Sequence, residues 1–252
     1  MKFDNIKVRL PENRVVIDDI KSLEKIGAGH DGIVYKYKDL ALKYLKYDIE
    51  LRKEKNLMTF DKVNYLIENL NMNRITAPTD ILLNEDGIYV GYAMPFIDDL
   101  SSDKRIGTKE YKAPGSFLYW DLMHAIGDLT NDFEQLTVRK IEAIDINRGS
   151  YMYASDFMYL CDTDKYIVKN KISSSVDDAN LRNLNFTIAK FLFYEMQKSK
   201  IYTPSDLKVL KNWVKKSSNS RTFIRELSNE MGTDYNQPIS EYTEYKIKKL
   251  VR

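Results

Sequence analysis

The chain has 252 residues and a mass of 29.5 kDa, enough for one generous domain or two small ones around a substantial core, so a disulfide scaffold is unnecessary. Its 39 Lys and Arg against 37 Asp and Glu leave a net charge of +2, which excludes a global field drawing it to nucleic acid or an anionic membrane. A hydrophobic content of 43% with charges of mixed sign excludes a disordered polyelectrolyte, and the single Cys161 excludes an internal disulfide and points to a reducing, cytoplasmic setting.

The N-terminal run MKFDNIKVRLPENR alternates charged and apolar residues too quickly to hold the centre of a signal peptide. No stretch reaches the roughly 20 apolar residues of a membrane helix. Short β-branched and aromatic runs separated by glycines and by Lys38-Asp39 predict three antiparallel strands over about 15–27, 32–38 and 40–46. Residues 48–70 change to helical periodicity, with Leu57, Phe60, Val63, Leu66, Ile67 and Leu70 on one stripe. Two further strands are expected in ITAPTDILLN and IYVGYAM, joined by a turn at Glu85-Asp86-Gly87. Helical signals then dominate over 117–137, 181–198, 205–216 and 220–231, broken by a small strand pair at SYMYA and FMYLC. The shift at Met94-Pro95-Phe96-Ile97 marks a hinge between a mainly β region and a mainly α region.

Chemistry enters at Ile26-Gly27-Ala28-Gly29-His30-Asp31-Gly32-Ile33-Val34, which has the form G-x-G-x-x-G-x-V. Glycines let a backbone fold tightly over phosphates, and a branched residue covers a flat ring. A dinucleotide-binding loop of the same pattern would open a helix, whereas Ile-Val-Tyr-Lys-Tyr continues as a strand, which favours a hairpin. Eleven residues after Gly32 comes Ala41-Leu42-Lys43-Tyr44-Leu45, a lysine inside an apolar strand whose ammonium needs an anion.

On these residues the sequence resembles the protein-kinase fold, in an atypical bacterial form. The resemblance implies an α+β chain of two lobes: a small β-rich lobe with one helix over residues 1–97, and a larger, mainly helical lobe over 98–252. It implies that ATP binds with Mg2+ between them. Gly27, Gly29 and Gly32 would close over the phosphates, while Ile26, Val34 and Ala41 line the adenine slot. Pro95 lacks an N–H, so the hinge hydrogen bond falls to Met94. Lys43 would neutralise phosphate charge, held by Asp61 on the following helix, with Glu54 and Glu68 as alternatives. The catalytic loop looks like Ala143-Ile144-Asp145-Ile146-Asn147-Arg148-Gly149-Ser150, where Asp145 is the catalytic base and Ser150 stands in the place of a metal-binding Asn. Seventeen residues after Asp145, Asp162-Thr163-Asp164 ends an apolar strand and resembles the Asp-Phe-Gly position in an Asp-x-Asp form, with Asp162 as the magnesium ligand.

In the second half, Asn185 through Met196 resembles the kinase core helix, with Asn185 replacing a buried Asp, and the run from Ser220 to Leu227 resembles the late Arg-initiated helix. Departures matter too. Only twenty residues, KYIVKNKISSSVDDANLRNL, separate Asp164 from Asn185, without Ala-Pro-Glu, so the peptide-docking platform is curtailed. The run Ser173, Ser174 and Ser175 reads as a polar loop, and His30 and His124 are too isolated for a metal site. Cys161 reads as inert core. The expected activity is ATP/Mg-dependent transfer of the γ-phosphate to a protein hydroxyl, with ATP and a protein substrate or partner as the binding partners. Two alternatives stand beside it: a pseudokinase acting as a nucleotide-binding module, and a small-molecule kinase of the aminoglycoside or choline type.

Overall fold

A computed structural model describes residues 6–47, 49–54, 57–70, 72, 74–97, 119–144, 150–154, 157–169, 176, 179–181 and 183. The chain is α+β and divides into two compact units, one of residues 1–98 and 162–167, the other of residues 99–161 and 168–252. The expected helices over 205–216 and 220–231, most of that over 181–198, the serine run, Asp145 and Asn185 lie outside the described residues.

The first unit is built on one antiparallel sheet of seven strands. In chain order they are β1 (Val8–Leu10), β2 (Val15–Ile17), β3 (Glu24–Ala28), β4 (Gly32–Tyr37), β5 (Leu40–Leu45), β6 (Asp80–Asn84) and β7 (Tyr89–Pro95), and across the sheet β2-β1-β6-β7-β5-β4-β3. The strand β1 was not expected. The rapid alternation of charged and apolar residues there is that of a half-buried strand, with Val8 and Leu10 buried and Arg9 exposed. Its turn is pinned by fully buried Asp80, whose carboxylate accepts from the main-chain N–H groups of Asn13 (2.9 Å) and Ile81 (2.8 Å) and from the Asn13 side chain (2.8 Å).

The turns follow their residues. Gly87 adopts φ 77°, a conformation glycine takes without steric cost, and its N–H donates to the Asn84 carbonyl at 3.0 Å. The Lys38-Asp39 turn closes the β4–β5 hairpin, with Tyr37 opposite Leu40. One face of the sheet packs an apolar cluster of Val8, Leu10, Ile17, Ile20, Tyr35, Leu42, Leu82 and Ala93.

The single helix expected over 48–70 is two: α1 (Ile49–Glu54) and α2 (Phe60–Asn69). Thr59, in extended conformation, caps α2 by accepting from the Lys62 N–H at 3.4 Å. This local N-cap competes with the continuous periodicity and restarts the helix. Val63, Leu66 and Leu70 are buried as the stripe requires, but Phe60, in the first turn, is exposed.

In the second unit, α3 (Tyr119–Val138) buries Leu129, Phe133 and Leu136 and leads to β8 (Ile141–Glu142). The small pair β9 (Tyr151–Ala154) and β10 (Phe157–Leu160) is antiparallel, with Leu160 opposite Tyr151. Asn180 accepts from the Ala143 N–H at 2.9 Å and donates to the Ile141 carbonyl at 2.9 Å, while Asn183 donates to the Ala143 carbonyl. Both main-chain groups of Ala143 are thereby fixed. Among the described residues, no helix is long and apolar enough to cross a membrane.

Candidate functional site

The site grows from strand register in the first unit. On β5, Lys43 lies opposite Val34 of β4 and Tyr92 of β7, and Val34 in turn lies opposite Gly27 of β3. Residues directly opposite in an antiparallel sheet share a face, so Val34, Lys43 and Tyr92 form one cross-strand row. Two residues along β5, Ala41 lies opposite Met94. The sheet therefore gathers Val34, Ala41, Lys43 and Met94 on the face opposite Leu42. Ile26 is the extra residue of a β-bulge, where the register shifts between Lys25 and Gly27, and its side chain is exposed.

The β3–β4 hairpin is closed by the Gly29 N–H donating to the Gly32 carbonyl at 2.9 Å. Lys46 holds its tip, donating from its main chain to the Asp31 carbonyl (3.0 Å) and from Nζ to the Gly29 carbonyl (2.6 Å). The three glycines have unequal reasons to be there. A Cβ on Gly32 would meet the Tyr44 carbonyl oxygen at 2.7 Å, so the close approach of β5 demands glycine. At Gly29 a Cβ would meet nothing within 4 Å, and at Gly27 only ordinary contacts with Val34. His30, at the exposed tip, lies 2.7 Å from the Tyr47 hydroxyl through Nδ1.

Lys43 is largely buried, and its ammonium is met by two acids from one short segment. Nζ donates to Asp162 Oδ1 at 3.3 Å and to Asp164 Oδ2. The Tyr92 hydroxyl donates to the other Asp164 oxygen, and Lys62 Nζ of α2 donates to the Asp164 main-chain carbonyl at 2.5 Å. The two acids differ sharply in environment: the Asp164 side chain is 2% exposed, that of Asp162 52%. Asp162 also adopts φ 72°, a left-handed conformation shared with Arg14, Lys38 and Lys140 and one that Asp tolerates better than most non-glycine residues.

Electrostatics follow this geometry. Desolvation pulls the Lys43 amine down, but the Asp164 and Asp162 charges outweigh it and hold it above the ordinary lysine value. Partial desolvation raises the Asp162 carboxyl, with Lys43 opposing and Asp164 adding to the rise. Desolvation and the Asp164 charge push the Tyr92 hydroxyl well up, keeping it a donor. Lys62 has the opposite fate: burial lowers its amine to about 8, against the pull of Asp164.

The expected Lys43–Asp61 pair is not formed. Asp61 lies exposed in the first turn of α2, as Glu54 and Glu68 lie exposed on α1 and α2, and the anions Lys43 needs come from Asp162 and Asp164 instead. Sequence reasoning missed Tyr92 and Lys62. Tyr92 alternates with Met94 on β7, so the period of the strand could have placed it on the Lys43 face. Lys62 precedes buried Leu66 by four residues and so borders the apolar stripe.

Ser150 belongs to the second unit, where it is buried and its carbonyl accepts from the Cys161 N–H at 2.7 Å. Cys161 is half-buried rather than core. Among the described residues no three His, Cys, Asp or Glu side chains cluster as a metal cage. The chemistry available is that of a fixed ammonium beside a half-exposed carboxylate whose Oδ1 alone is engaged among the described residues, near the glycine hairpin. No family model matches the chain, and no curated protein matches it.

Proposed function

We propose that the chain is an ATP- and magnesium-dependent phosphotransferase with a two-lobed protein-kinase-like fold, an atypical protein kinase that passes the γ-phosphate to a protein hydroxyl. The observation that carries this reading is the Lys43–Asp162–Asp164 cluster near the glycine hairpin, on the face that also bears Val34, Ala41 and Met94. A lysine and an acid from distant parts of the sequence meet where phosphate charge and its counterion would be handled.

The residues fit both ATP and magnesium. Gly27 and Gly29 are required by neither packing nor positive φ, which leaves backbone that a phosphate can approach closely. Magnesium takes carboxylate, phosphate and water oxygens and needs only one or two protein carboxylates, so Asp162 suffices as its protein ligand without a dedicated cage. When bound, the ion offsets charge on the transferred phosphoryl group.

In this reading Lys43 binds and neutralises the phosphates, while Ile26, Val34 and Ala41 cover the adenine ring and Met94 supplies the hinge hydrogen bond. Asp145 orients the acceptor hydroxyl and takes its proton as the new P–O bond forms and the bond to ADP breaks. Asn180 and Asn183, by fixing Ala143 two residues earlier, anchor the start of that loop. Ser150 favours a second reading: a nucleotide-binding module without turnover, because a serine hydroxyl is shorter than the amide the kinase pattern places there.

The test follows the γ-phosphate of labelled ATP, with magnesium and a lysate, in wild type and Asp145→Asn. Transfer to protein that the variant loses is the expected result. Transfer to a small molecule would indicate the aminoglycoside- or choline-kinase type. Binding without transfer supports the non-catalytic module, and no binding at millimolar ATP overturns all three.

A further inference from the structure

We propose that Asp164 is the residue that positions Lys43, held for that task by Tyr92 and Lys62, and that this division leaves Asp162 free for the ligand. The inference deepens the nucleotide reading and rests on it only for what Lys43 is aimed at.

Three elements converge on Asp164. Lys43 of β5 and Tyr92 of β7 are direct register partners on adjacent strands, so their side chains leave one face a strand spacing apart. One carboxylate spans that gap, taking Tyr92 on Oδ1 and Lys43 on Oδ2. From α2, Lys62 holds the main-chain carbonyl of the same residue, which fixes the backbone from which the carboxylate projects. A carboxylate 2% exposed is tolerable only with its oxygens satisfied, and both are engaged, one by Tyr92 and one by Lys43.

Asp162 has the opposite character. Its side chain is half exposed, it reaches Lys43 through one oxygen at 3.3 Å, and Oδ2 makes no hydrogen bond or ion pair among the described residues. It can exchange Lys43 for a cation without leaving a buried ammonium unpaired, because Asp164 remains. The helix accordingly contributes a cation, Lys62, where an acid was expected, and both acids come from the segment after β10. Asp164, Tyr92 and Lys62 are thus positioning residues, acting on the ligand through Lys43.

Double-mutant cycles test this, because a positioning pair is non-additive where two independent structural residues are additive. Unfolding by urea, and ATP binding by calorimetry without and with magnesium, would be measured for Lys43→Met, Asp164→Asn, Asp162→Asn, Asp61→Asn and the two double variants that pair Lys43 with Asp164 and with Asp61. Lys43 and Asp164 should couple at least tenfold in the unfolding constant, and Lys43 and Asp61 less than twofold. ATP affinity should fall at least tenfold in Asp164→Asn and no further in the double variant, whereas Asp162→Asn should lose only the gain that magnesium brings. If Asp164→Asn does not fold, Tyr92→Phe, which removes one hydroxyl at nearly constant volume, replaces it, with coupling of several-fold expected. Additivity of Lys43 with Asp164, or with Tyr92 in that second cycle, overturns the proposal, as does coupling to Asp61 of equal size. Coupling in unfolding with no ATP binding by wild type would uphold the positioning role and overturn the nucleotide reading instead.

Discussion

The two faces of strand β5 solve different physical problems with alternate residues of one six-residue segment. Leu40, Leu42 and Tyr44 join the apolar cluster around Leu10, Ile20 and Leu82, where the gain is area removed from water and depends little on pH. Ala41 and Lys43 face the other way, toward Met94 and Tyr92, where the energetics are those of a desolvated ammonium and its two acids. The first face tolerates exchange of one apolar group for another of like volume. The second depends on the identity of its buried partners, since removing Lys43 strands the buried Asp164 carboxylate. The same period of two that builds the core therefore also builds the site.

The largest effect should come from breaking the apolar face. Leu42→Ala, at a fully buried position, should cost about 2–5 kcal/mol in urea unfolding through lost burial and the cavity left behind. Next comes Gly91→Ala, whose Cβ would meet the Lys43 carbonyl oxygen at 2.1 Å and wedge β7 from β5. That overpacking should cost roughly 1–3 kcal/mol and, because it moves the strand that carries Lys43, should weaken ATP binding as well.

A smaller effect isolates the charged face through pH. Lys62 titrates at about 8 in the folded chain against an ordinary value of 10.5, so between these values the unfolded chain binds more protons. Its contribution to stability therefore rises with pH across that window. Lys43, raised in the fold, contributes stability that is fully present below the ordinary value and lost only as pH climbs through its higher one. Urea unfolding between pH 7.5 and 9.5 should show wild type gaining on Lys62→Met as pH rises; a parallel course would remove burial of the amine from the account. The smallest effect is expected at Gly29→Ala, where the open space around the Cβ predicts a stability change within about 0.5 kcal/mol. ATP affinity should nevertheless fall, which separates a glycine kept for a ligand from one kept for packing.

Legibility followed the range of the interaction. Strands β4, β5 and β7 were readable because alternation and the turn residues at Lys38-Asp39 and Gly87 are local signals. The single strand expected over 15–27 is instead β2 and β3, on opposite edges of the sheet, because a short 3-10 turn at Ile20–Ser22, capped by the Asp19 side chain, breaks the run. The break between α1 and α2 was hidden by a continuous apolar stripe, since the Thr59 cap is a local hydrogen bond that periodicity does not record. Strand β1 was lost among its charges, because three residues alternating in and out are too few to stand above the surrounding polar run. The α+β class was legible, and so were Lys43 and the Asp162-Thr163-Asp164 segment as places of interest. Which acid holds Lys43 was not. Asp61 sits four residues before Tyr65 and off the buried stripe, whereas Asp164 reaches Lys43 from far along the chain, a contact fixed by tertiary packing alone.

The central claim, that the Lys43 face binds a nucleotide with magnesium, is tested most directly by calorimetric titration of the full chain with ATP in the presence and absence of magnesium, in wild type and Lys43→Met. The account predicts binding in wild type that tightens with magnesium and weakens at least tenfold, by about 1.4 kcal/mol or more, in the variant. No heat of binding at millimolar ATP, or equal affinity in wild type and Lys43→Met, would contradict it.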